Sequence, residues 1–323
     1  MQKPSTPEDK KLLGKAFRIY NWQFGKCLAP AMQCQNAPIQ AHSIQNGRVI
    51  DLLEDKGHVI ALAPRFSQAG PDIRFRSIGR NLASAFLGFC GQHDNEIFAP
   101  LDKKPFDTAD QEQLFLLAYR AVSRELHATM DAVSKIQSMY KVRVDQGIDF
   151  TDDQSPAGVK AVEQMLFSWT TWKYRNKFYD EPLVAREFSV IAHDVLTFQN
   201  QTPALAVSSF ISLDDMRPGD ADFPGVAVNV LPVSGDTTVA IFSYAPSITG
   251  KVRTSLDRIL TANGDHQNYE LSKLIIARMS NFIVSPTHFV AWSKDKVDRL
   301  ERAAIESVVS GRDPEEHQDL MLF

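Results

Sequence analysis

The sequence predicts an α+β protein: a cysteine-bearing N-terminal module packs on long helices, and an antiparallel β-sheet domain with C-terminal helices follows. Three observations predict this order. All three cysteines fall in the first third of the chain, apolar residues recur at helical spacing between residues 108 and 175, and runs rich in Val, Ile and Phe begin beyond residue 182. Because 323 residues exceed the usual size of one hydrophobic core, we expect two domains, 1–145 and 146–323.

The composition excludes several classes of protein. A net charge of −4 gives no global attraction to nucleic acid, so any such contact needs a local basic patch. Residues 1–11 are polar and charged, and no stretch reaches the length of a membrane span, so we expect neither a secretory signal nor a membrane anchor. Three cysteines without a signal indicate a reducing compartment. The expected location is the cytoplasm.

The cysteines and one histidine have the spacing of metal ligands. Two residues separate Cys90 from His93, a spacing found for ligands at the start of a helix, and Cys27 and Cys34 form an earlier pair. Three thiolates and one imidazole are a donor set that holds structural zinc in a tetrahedron. The alternative is that the three cysteines are small buried apolar residues without a metal. The sequence therefore predicts a structural zinc site with that alternative left open.

The elements around this cluster follow the order of a treble clef. Residues 8–24 have the apolar spacing of a short helix. A strand is expected to end at Ala41-His42, and Asn46-Gly47 is a strong turn signal before a return strand over 49–53 or 57–63. A cysteine knuckle, a hairpin and then a helix that supplies the last ligands make up that architecture.

Several motifs of this region resemble a known nuclease finger. The motifs are Cys27 with Cys34, the Ala-His-Ser-Ile-Gln stretch at 41–45, the Phe-Cys-x-x-His-Asp stretch at 89–94 and the Phe-Leu-Leu-Ala-Tyr-Arg stretch at 115–120. They resemble the zinc-bearing form of the HNH nuclease finger and a group of uncharacterised bacterial proteins that share the pattern. The resemblance covers roughly residues 20–130. It implies a bacterial protein, with phage (antiviral) defence or stress response as the setting.

The resemblance also implies roles for individual residues. His42 takes the place of the general base that activates water, Asn81 or Asn95 that of the asparagine orienting it, and Asp94 would join His42 at a catalytic Mg²⁺. The pattern departs from the family at Phe98, where a further metal-binding His or Asn is expected. His42 is equally a candidate for a hydrogen-bonded structural residue, and Asp94 for a carboxylate that orients the imidazole of His93.

The segment 63–81 is expected to be a basic loop. It carries Arg65, Arg74, Arg76 and Arg80 against a single acid, Asp72, with Phe66 and Phe75 among them. Such a loop can contact phosphates and stack on bases, so it is the candidate nucleic-acid surface. The alternative is a solvated loop whose arginines pair with acids elsewhere.

Two long helices are expected next. Thr108-Ala-Asp-Gln111 fits a capping box, and helical spacing continues to about residue 144. A polar break over 145–156 precedes the second helix, whose aromatic residues fit a helix core better than a ligand cage. These aromatic residues are Trp169, Trp172, Tyr174, Phe178 and Tyr179.

The remainder is expected to form an antiparallel sheet covered on one face. Adjacent residues of a strand point to opposite faces, so His193 and Asp194 are not expected to act as a catalytic pair. The chain is expected to end in a loose tail, 315–323, whose last apolar residue can dock. The expected strands are 188–198, 204–213, 226–231 and 237–244, and the expected helices are 251–260, 270–282 and 286–310.

Two functions agree with these features. In the first, zinc only stabilises the module, and the protein recognises nucleic acid through the arginine loop, or a protein partner or small ligand through the sheet domain. In the second, the protein is an HNH-like metal-dependent endonuclease with His42 as base. The missing ligand near Phe98 favours the first function.

Overall fold

The computed structural model describes residues 6–67, 70–151, 155–199, 202–214, 222–310, 314 and 319–323. The strands in chain order are β1 (Ile39–His42), β2 (His58–Ser67), β3 (Gly70–Gly79), β4 (Ala85–Phe89), β5 (Ala192–Gln199), β6 (Leu205–Ser212), β7 (Gly225–Pro232), β8 (Thr237–Tyr244) and β9 (Phe282–Val284). The helices are α1 (Pro7–Asn21), α2 (Gly91–Ile97), α3 (Ala99–Lys103), α4 (Gln111–Asp145), α5 (Pro156–Arg175), α6 (Glu181–Ala185), α7 (Thr249–Ser255), α8 (Asp257–Leu260), α9 (Gly264–Arg278), α10 (Pro286–Phe289) and α11 (Lys294–Ser310).

Seven strands form one antiparallel sheet in the order β3-β2-β9-β6-β7-β8-β5, and β1 pairs with β4 in a separate two-stranded sheet. The predicted α+β class, with long central helices and an antiparallel sheet, is confirmed. Strands β2 and β3 come from the N-terminal side of residue 145 and β5–β9 from the other side. The division of the chain into domains at that residue stays a prediction.

Helices cover both faces of the large sheet. On β7, Val226, Val228 and Val230 pack with the C-terminal helices, whereas Ala227 and Leu231 pack towards the N-terminal half and α4. Continuous apolar strands are the pattern of a sheet buried on both sides. The prediction that only one face is covered was therefore wrong. In the part of the chain that the structure describes, no helix has the length and apolar character that a membrane span needs.

The central strand β9 was not predicted from the sequence. The predicted helix 270–282 ends at Arg278, and Phe282–Val284 then forms a strand. This strand lies between β2 and β6, with Val284 opposite both Ile60 and Leu205. Three apolar residues are too few to show the alternation of a strand. Because they lie soon after a helix, the sequence pattern assigns the first of them to that helix.

The predicted hairpin after β1 is also wrong. The partner of β1 is β4, with His42 opposite Ala85, and not the segment 49–53, which contains a short 3-10 helix at Ile50–Leu52. The other candidate, 57–63, is a strand, but it pairs with β3. The N-terminal small sheet thus closes around a long insertion that itself adds two strands to the large sheet.

The two long helices are present with altered ends. The N-cap of α4 is Asp110, whose carboxylate accepts from the backbone N–H groups of Glu112 and Gln113, so the capping box at Thr108 was wrong. Helix α5 continues through a π-helical turn, Asn176–Asp180, into α6. The predicted helix 286–310 is divided into α10 and α11, and the predicted strand 188–198 begins only at β5.

The chain ends by docking on the core. Leu320 and Leu322 are fully buried, and the ring of Phe323 packs edge-on against Phe198. The carbonyl of Leu322 lies 2.8 Å from Nε2 of His288. Residues 315–318 of the predicted loose tail lie outside the described residues.

Candidate metal centre

The first ligand position is fixed by backbone pairing with β4. The N–H of Lys26 donates to the carbonyl of Leu87 (3.1 Å), and that of Leu28 donates to the carbonyl of Gly88 (2.7 Å). Cys27 stands between these two donors and is almost fully buried. The segment therefore runs along the strand that leads directly to the later ligands.

A tight turn brings Cys34 back to Cys27. The turn is a 3-10 helix at Pro30–Met32, in which Ala31 (φ 64°) and Met32 (φ 52°) adopt the left-handed conformation. Two successive non-glycine residues in that region are uncommon and reverse the chain sharply. The turn explains how a gap of six residues can still close a knuckle.

Helix α2 supplies the other two ligands. Cys90 is its N-cap residue, with an extended backbone (φ −78°, ψ 160°), and His93 lies in its first turn. Residues three apart on a helix share one side, so the two side chains converge, and Nδ1 of His93 lies 3.3 Å from Sγ of Cys90.

The four donor atoms lie close enough together to coordinate one metal ion. Sγ of Cys27 is 3.3 Å from Nδ1 of His93, Sγ of Cys34 is 3.9 Å from Sγ of Cys90, and all four atoms lie within 4.8 Å of one another. Tetrahedral zinc with ordinary bond lengths has edges of about 3.8 Å between sulfurs and about 3.5 Å between sulfur and nitrogen. The predicted Cys27, Cys34, Cys90 and His93 set is therefore a cluster that can hold a metal ion, and its chemistry is consistent with zinc.

The local field favours the thiolate of Cys90. Burial acts to raise the pKa of Cys90, but hydrogen bonds from the backbone of His93 and from the side chains of Cys27, Cys34 and His93 outweigh it and lower the pKa to about 6. Burial raises the pKa of Cys27, and the backbone N–H of Cys90, 3.4 Å from its sulfur, partly opposes that effect. A thiolate is the form that coordinates metal.

His42 and Asp94 line one cleft beside this cluster. The cleft has a volume of about 320 Å³ and also contains Gln45, Asp102 and Arg120. Nε2 of His42 is buried and has no hydrogen-bond partner among the described residues. Burial lowers the pKa of His42 and raises the pKa of Asp94, which favours the neutral form of the imidazole.

The other residues implied by the HNH resemblance have different roles in the structure. The side-chain oxygen of Asn81 accepts from Asn46 (3.1 Å), and Asn95 donates to the carbonyl of Gly91 on its own helix (2.7 Å). Phe98 is fully buried, with the guanidinium of Arg120 4.0 Å above its ring. Among the described residues, the Cys3His group is the only cluster of His, Cys, Asp or Glu side chains close enough to hold a metal.

The predicted arginine loop is a β-hairpin. Segment 63–81 forms part of β2 and all of β3, and the side chain of Phe75 packs against Phe282 and Trp292 in the core, so it is not available for stacking on bases. Arginine alternates with apolar residues in this segment, which is the pattern of a half-buried strand. The prediction of a loop was therefore wrong.

The described arginines of the hairpin pair with acids. Arg74 and Arg76 both contact Asp72, at 3.0 Å and 3.1 Å, and Arg80 contacts Asp51 and Glu54. Arg74 also lies 3.8 Å from Glu301. Arg65 lies on β2, and its side chain is outside the described part of the structure. Contact of these residues with nucleic acid stays a prediction.

Comparisons with known proteins gave no relative: no protein-family model, no curated protein and no solved structure matched this chain. The HNH resemblance therefore stays a prediction. It depends on the ligand spacing and on the placement of β1, β4 and α2 around the cluster.

Sequence reasoning wrongly expected one buried polar residue, Arg175, to reach water and missed two others, Ser208 and Asn229. Arg175 is fully buried, and Ser208 and Asn229 are almost fully buried on the face of the sheet that α4 covers. Arg175 alternates with Lys173 and Lys177, a pattern that predicts side chains reaching water, and Ser208 and Asn229 lie in strands made mostly of apolar residues. Their burial depends on the tertiary fold and not on their neighbours in sequence.

Proposed function

We propose that Cys27, Cys34, Cys90 and His93 hold a structural zinc ion, and that the protein uses the module stabilised by this ion to recognise nucleic acid or a protein partner in a bacterial defence or stress response. The observation that carries the proposal is the closed donor set. Four protein side chains fill a tetrahedron and leave no position for water or substrate, as in structural zinc sites.

The position of the cluster supports a stabilising role. Its ligands come from the segment before β1 and from the start of α2, and β4 runs between these two parts. The cluster has little apolar packing of its own, since its buried members are Cys27, Ala29 and Cys90. A bound ion would therefore supply the cohesion that a larger core supplies elsewhere.

The exposed edge of β3 supports a contact with phosphate. The side chain of Arg74 is 58% exposed, and its partner Asp72 is 37% exposed. Ion pairs between exposed groups contribute little, so a phosphate can compete for the guanidinium. Arg76 lies two residues further along the strand and shares the same acid, which places both cations on one face.

Two measurements test this proposal. Elemental analysis of the purified full-length protein is expected to give one zinc per chain. Binding of single- and double-stranded DNA and RNA is expected to weaken with added salt. The double variant Arg74→Gln/Arg76→Gln is expected to bind nucleic acid more weakly and with a smaller dependence on salt. Arg186→Gln, which removes another exposed arginine, is the matched control. Zinc-free protein, or equal binding by both sets of variants, contradicts the proposal.

The cleft beside the cluster favours an HNH-like nuclease as the second candidate. Burial favours the neutral form of His42, which has an unpartnered nitrogen, as a general base requires, and Asp94 lines the same cleft. The test is cleavage of plasmid DNA and RNA with Mg²⁺ or Mn²⁺. Cleavage that is lost in His42→Ala and kept in the exposed-site control His266→Ala supports the nuclease, and binding without cleavage excludes it.

A further inference from the structure

A cavity of about 230 Å³ lies between the large sheet, α4 and the segment that follows β1. It is separate from the metal cluster and shares none of its ligands. Most of its wall is apolar, which suits the body of a small organic molecule. The apolar side chains that line it include Ile44, Val49, Leu101, Phe106, Leu117 and Leu231.

Two buried polar side chains stand on the sheet side of this cavity. Ser208 and Asn229 are direct cross-strand neighbours on β6 and β7, and each is about 1% exposed. Ser208 Oγ and Asn229 Nδ2 have no hydrogen-bond partner among the described residues. An unpartnered buried polar group destabilises a fold, so a pair of them lining a cavity points to a partner that completes their hydrogen bonds.

A third unpartnered group comes from the opposite wall. Arg120 on α4 is only 4% exposed, and its Nε has no partner within the described structure. One nitrogen of its guanidinium, Nη2, lies 3.2 Å from Asp102, and the guanidinium stacks on Phe98. The side chain is thus held in place with part of its donor capacity unused.

The charges that line the cavity define the sign of its occupant. Its charged side chains are Arg48 and Arg120, and no carboxylate lines it. Asp102, in the adjoining cleft, balances Arg120, whereas Arg48 hydrogen-bonds the backbone carbonyl of Lys104. Asp94 lines the same cleft and also interacts with Arg120, so the wall of the cavity carries only positive side chains while two carboxylates lie outside it.

We propose that this cavity binds a small monoanionic carboxylate with an apolar body, such as an aromatic or short aliphatic carboxylic acid. The carboxylate accepts hydrogen bonds from Arg120, Asn229 and Ser208, and the apolar body contacts the surrounding side chains. Guanidinium groups on a largely apolar wall, with two carboxylates close by, fit a monoanion better than a phosphate dianion, whose desolvation cost is larger. The site lies beyond the zinc cluster and does not depend on nucleic-acid recognition.

The cavity adjoins the cleft that contains His42. Both spaces are lined by Gln45, Arg48 and Arg120, and Arg48 is exposed. A ligand that enters past Arg48 meets a guanidinium first and then reaches the buried amide. The same three side chains therefore contact both spaces.

The test uses benzoate as the probe, with benzamide as its neutral isostere and inorganic phosphate as a simple anion. Titration calorimetry and ligand-observed NMR on the full chain are expected to detect benzoate and neither of the other two. Arg120→Met is expected to weaken benzoate binding at least about tenfold. Arg124→Gln, one turn further along α4 and outside the cavity, is the matched control.

Asn229→Val keeps the proposal testable if Arg120→Met fails to fold. Because the amide has an unpartnered nitrogen in the protein, its replacement by an apolar side chain is expected to leave the melting temperature equal or higher while benzoate affinity falls at least about tenfold. Absence of benzoate binding, equal binding of benzamide, or unchanged benzoate affinity in both variants overturns the proposal. Internal waters would then complete these hydrogen bonds.

Discussion

Arg175 donates a hydrogen bond from Nη2 to the carbonyl oxygen of Leu28, over 2.6 Å. The same guanidinium contacts Asp180 at 2.9 Å and 3.2 Å, and the hydroxyl of Tyr119 donates to the other oxygen of that carboxylate at 3.0 Å. Burial raises the pKa of Asp180, and Arg175 opposes this shift. Since Leu28 follows Cys27, this buried network connects the first residue of the Cys3His cluster to the end of α5.

Removal of the buried arginine is expected to be strongly destabilising. Arg175→Met leaves the carboxylate of Asp180 buried without its counter-ion, which should lower the free energy of unfolding by about 3–5 kcal/mol. Urea denaturation measures the change, and Arg186→Met, which breaks an exposed pair with Glu112, should cost less than about 1 kcal/mol. Similar losses in the two variants would show that the buried network contributes no more than a surface pair.

Loss of one thiolate should couple metal release to unfolding. Cys90→Ser is expected to abolish stoichiometric zinc binding. In excess zinc it should also lower the free energy of unfolding by about 4 kcal/mol, because a ligand present at roughly a thousand times its Kd stabilises a fold by about that amount. Elemental analysis and thermal melts with and without a chelator measure both effects. Gln92→Ala, an exposed neighbour on α2, serves as the control. If Cys90→Ser has the same melting temperature as the wild type, the proposed structural role of the metal is wrong.

Acid should destabilise the sheet through His193. Burial lowers the pKa of His193 to about 4, although Asp194 acts to raise it. The unfolded chain binds this proton near pH 6.5 and the folded chain does not, so the stabilisation is complete above pH 6.5 and is lost as the pH falls towards 4. The loss should reach about 3 kcal/mol at most.

Urea denaturation between about pH 7 and about pH 4.5 measures this dependence. His193→Gln should flatten the curve, whereas the exposed-site variant His266→Gln should leave it unchanged. Parallel curves for His193→Gln and the wild type would assign the acid lability to other groups.

A methyl group at Gly225 should clash with two aromatic rings. A Cβ there would lie 2.5 Å from Phe210 and 2.8 Å from Tyr174, whose hydroxyl also donates to the Gly225 carbonyl at 3.0 Å. Gly225→Ala is expected to cost about 1–3 kcal/mol because these buried rings have little room to shift. Gly235→Ala, where a Cβ meets nothing within 4 Å, is the matched control. Equal melting temperatures for the two variants would show that Phe210 and Tyr174 do not pack tightly against Gly225.

The convergence of Cys90 and His93 in the Cys3His cluster was predictable because its signal is local. Cys90 and His93 converge through the geometry of one helical turn, which residue spacing alone determines. The partner of β1 was not predictable in this way. The insertion between β1 and β4 contains the strong turn signal Asn46-Gly47, and local rules favour the nearest return strand over one that follows the insertion.

Buried polar positions were equally hidden in the sequence. Asn281 follows α9 and binds Ser43 Oγ (2.8 Å) and the carbonyl of Ser208 (2.5 Å), which links three distant segments. The alternation of β6 and β7 places Ser208 and Asn229 on an interior face only because helices cover both sides of the sheet. If only one face of the sheet were covered, Ser208 and Asn229 would be expected on the solvent-exposed face.

The pairing of Ile60 in β2 with Val284 in β9 has a consequence for synthesis on the ribosome. The β2–β3 hairpin emerges first, and the strand that must join its inner edge is made only after β5–β8. Until then one edge of the hairpin has unpaired backbone groups and can pair with another nascent chain. The order of the strands therefore delays the pairing of this edge.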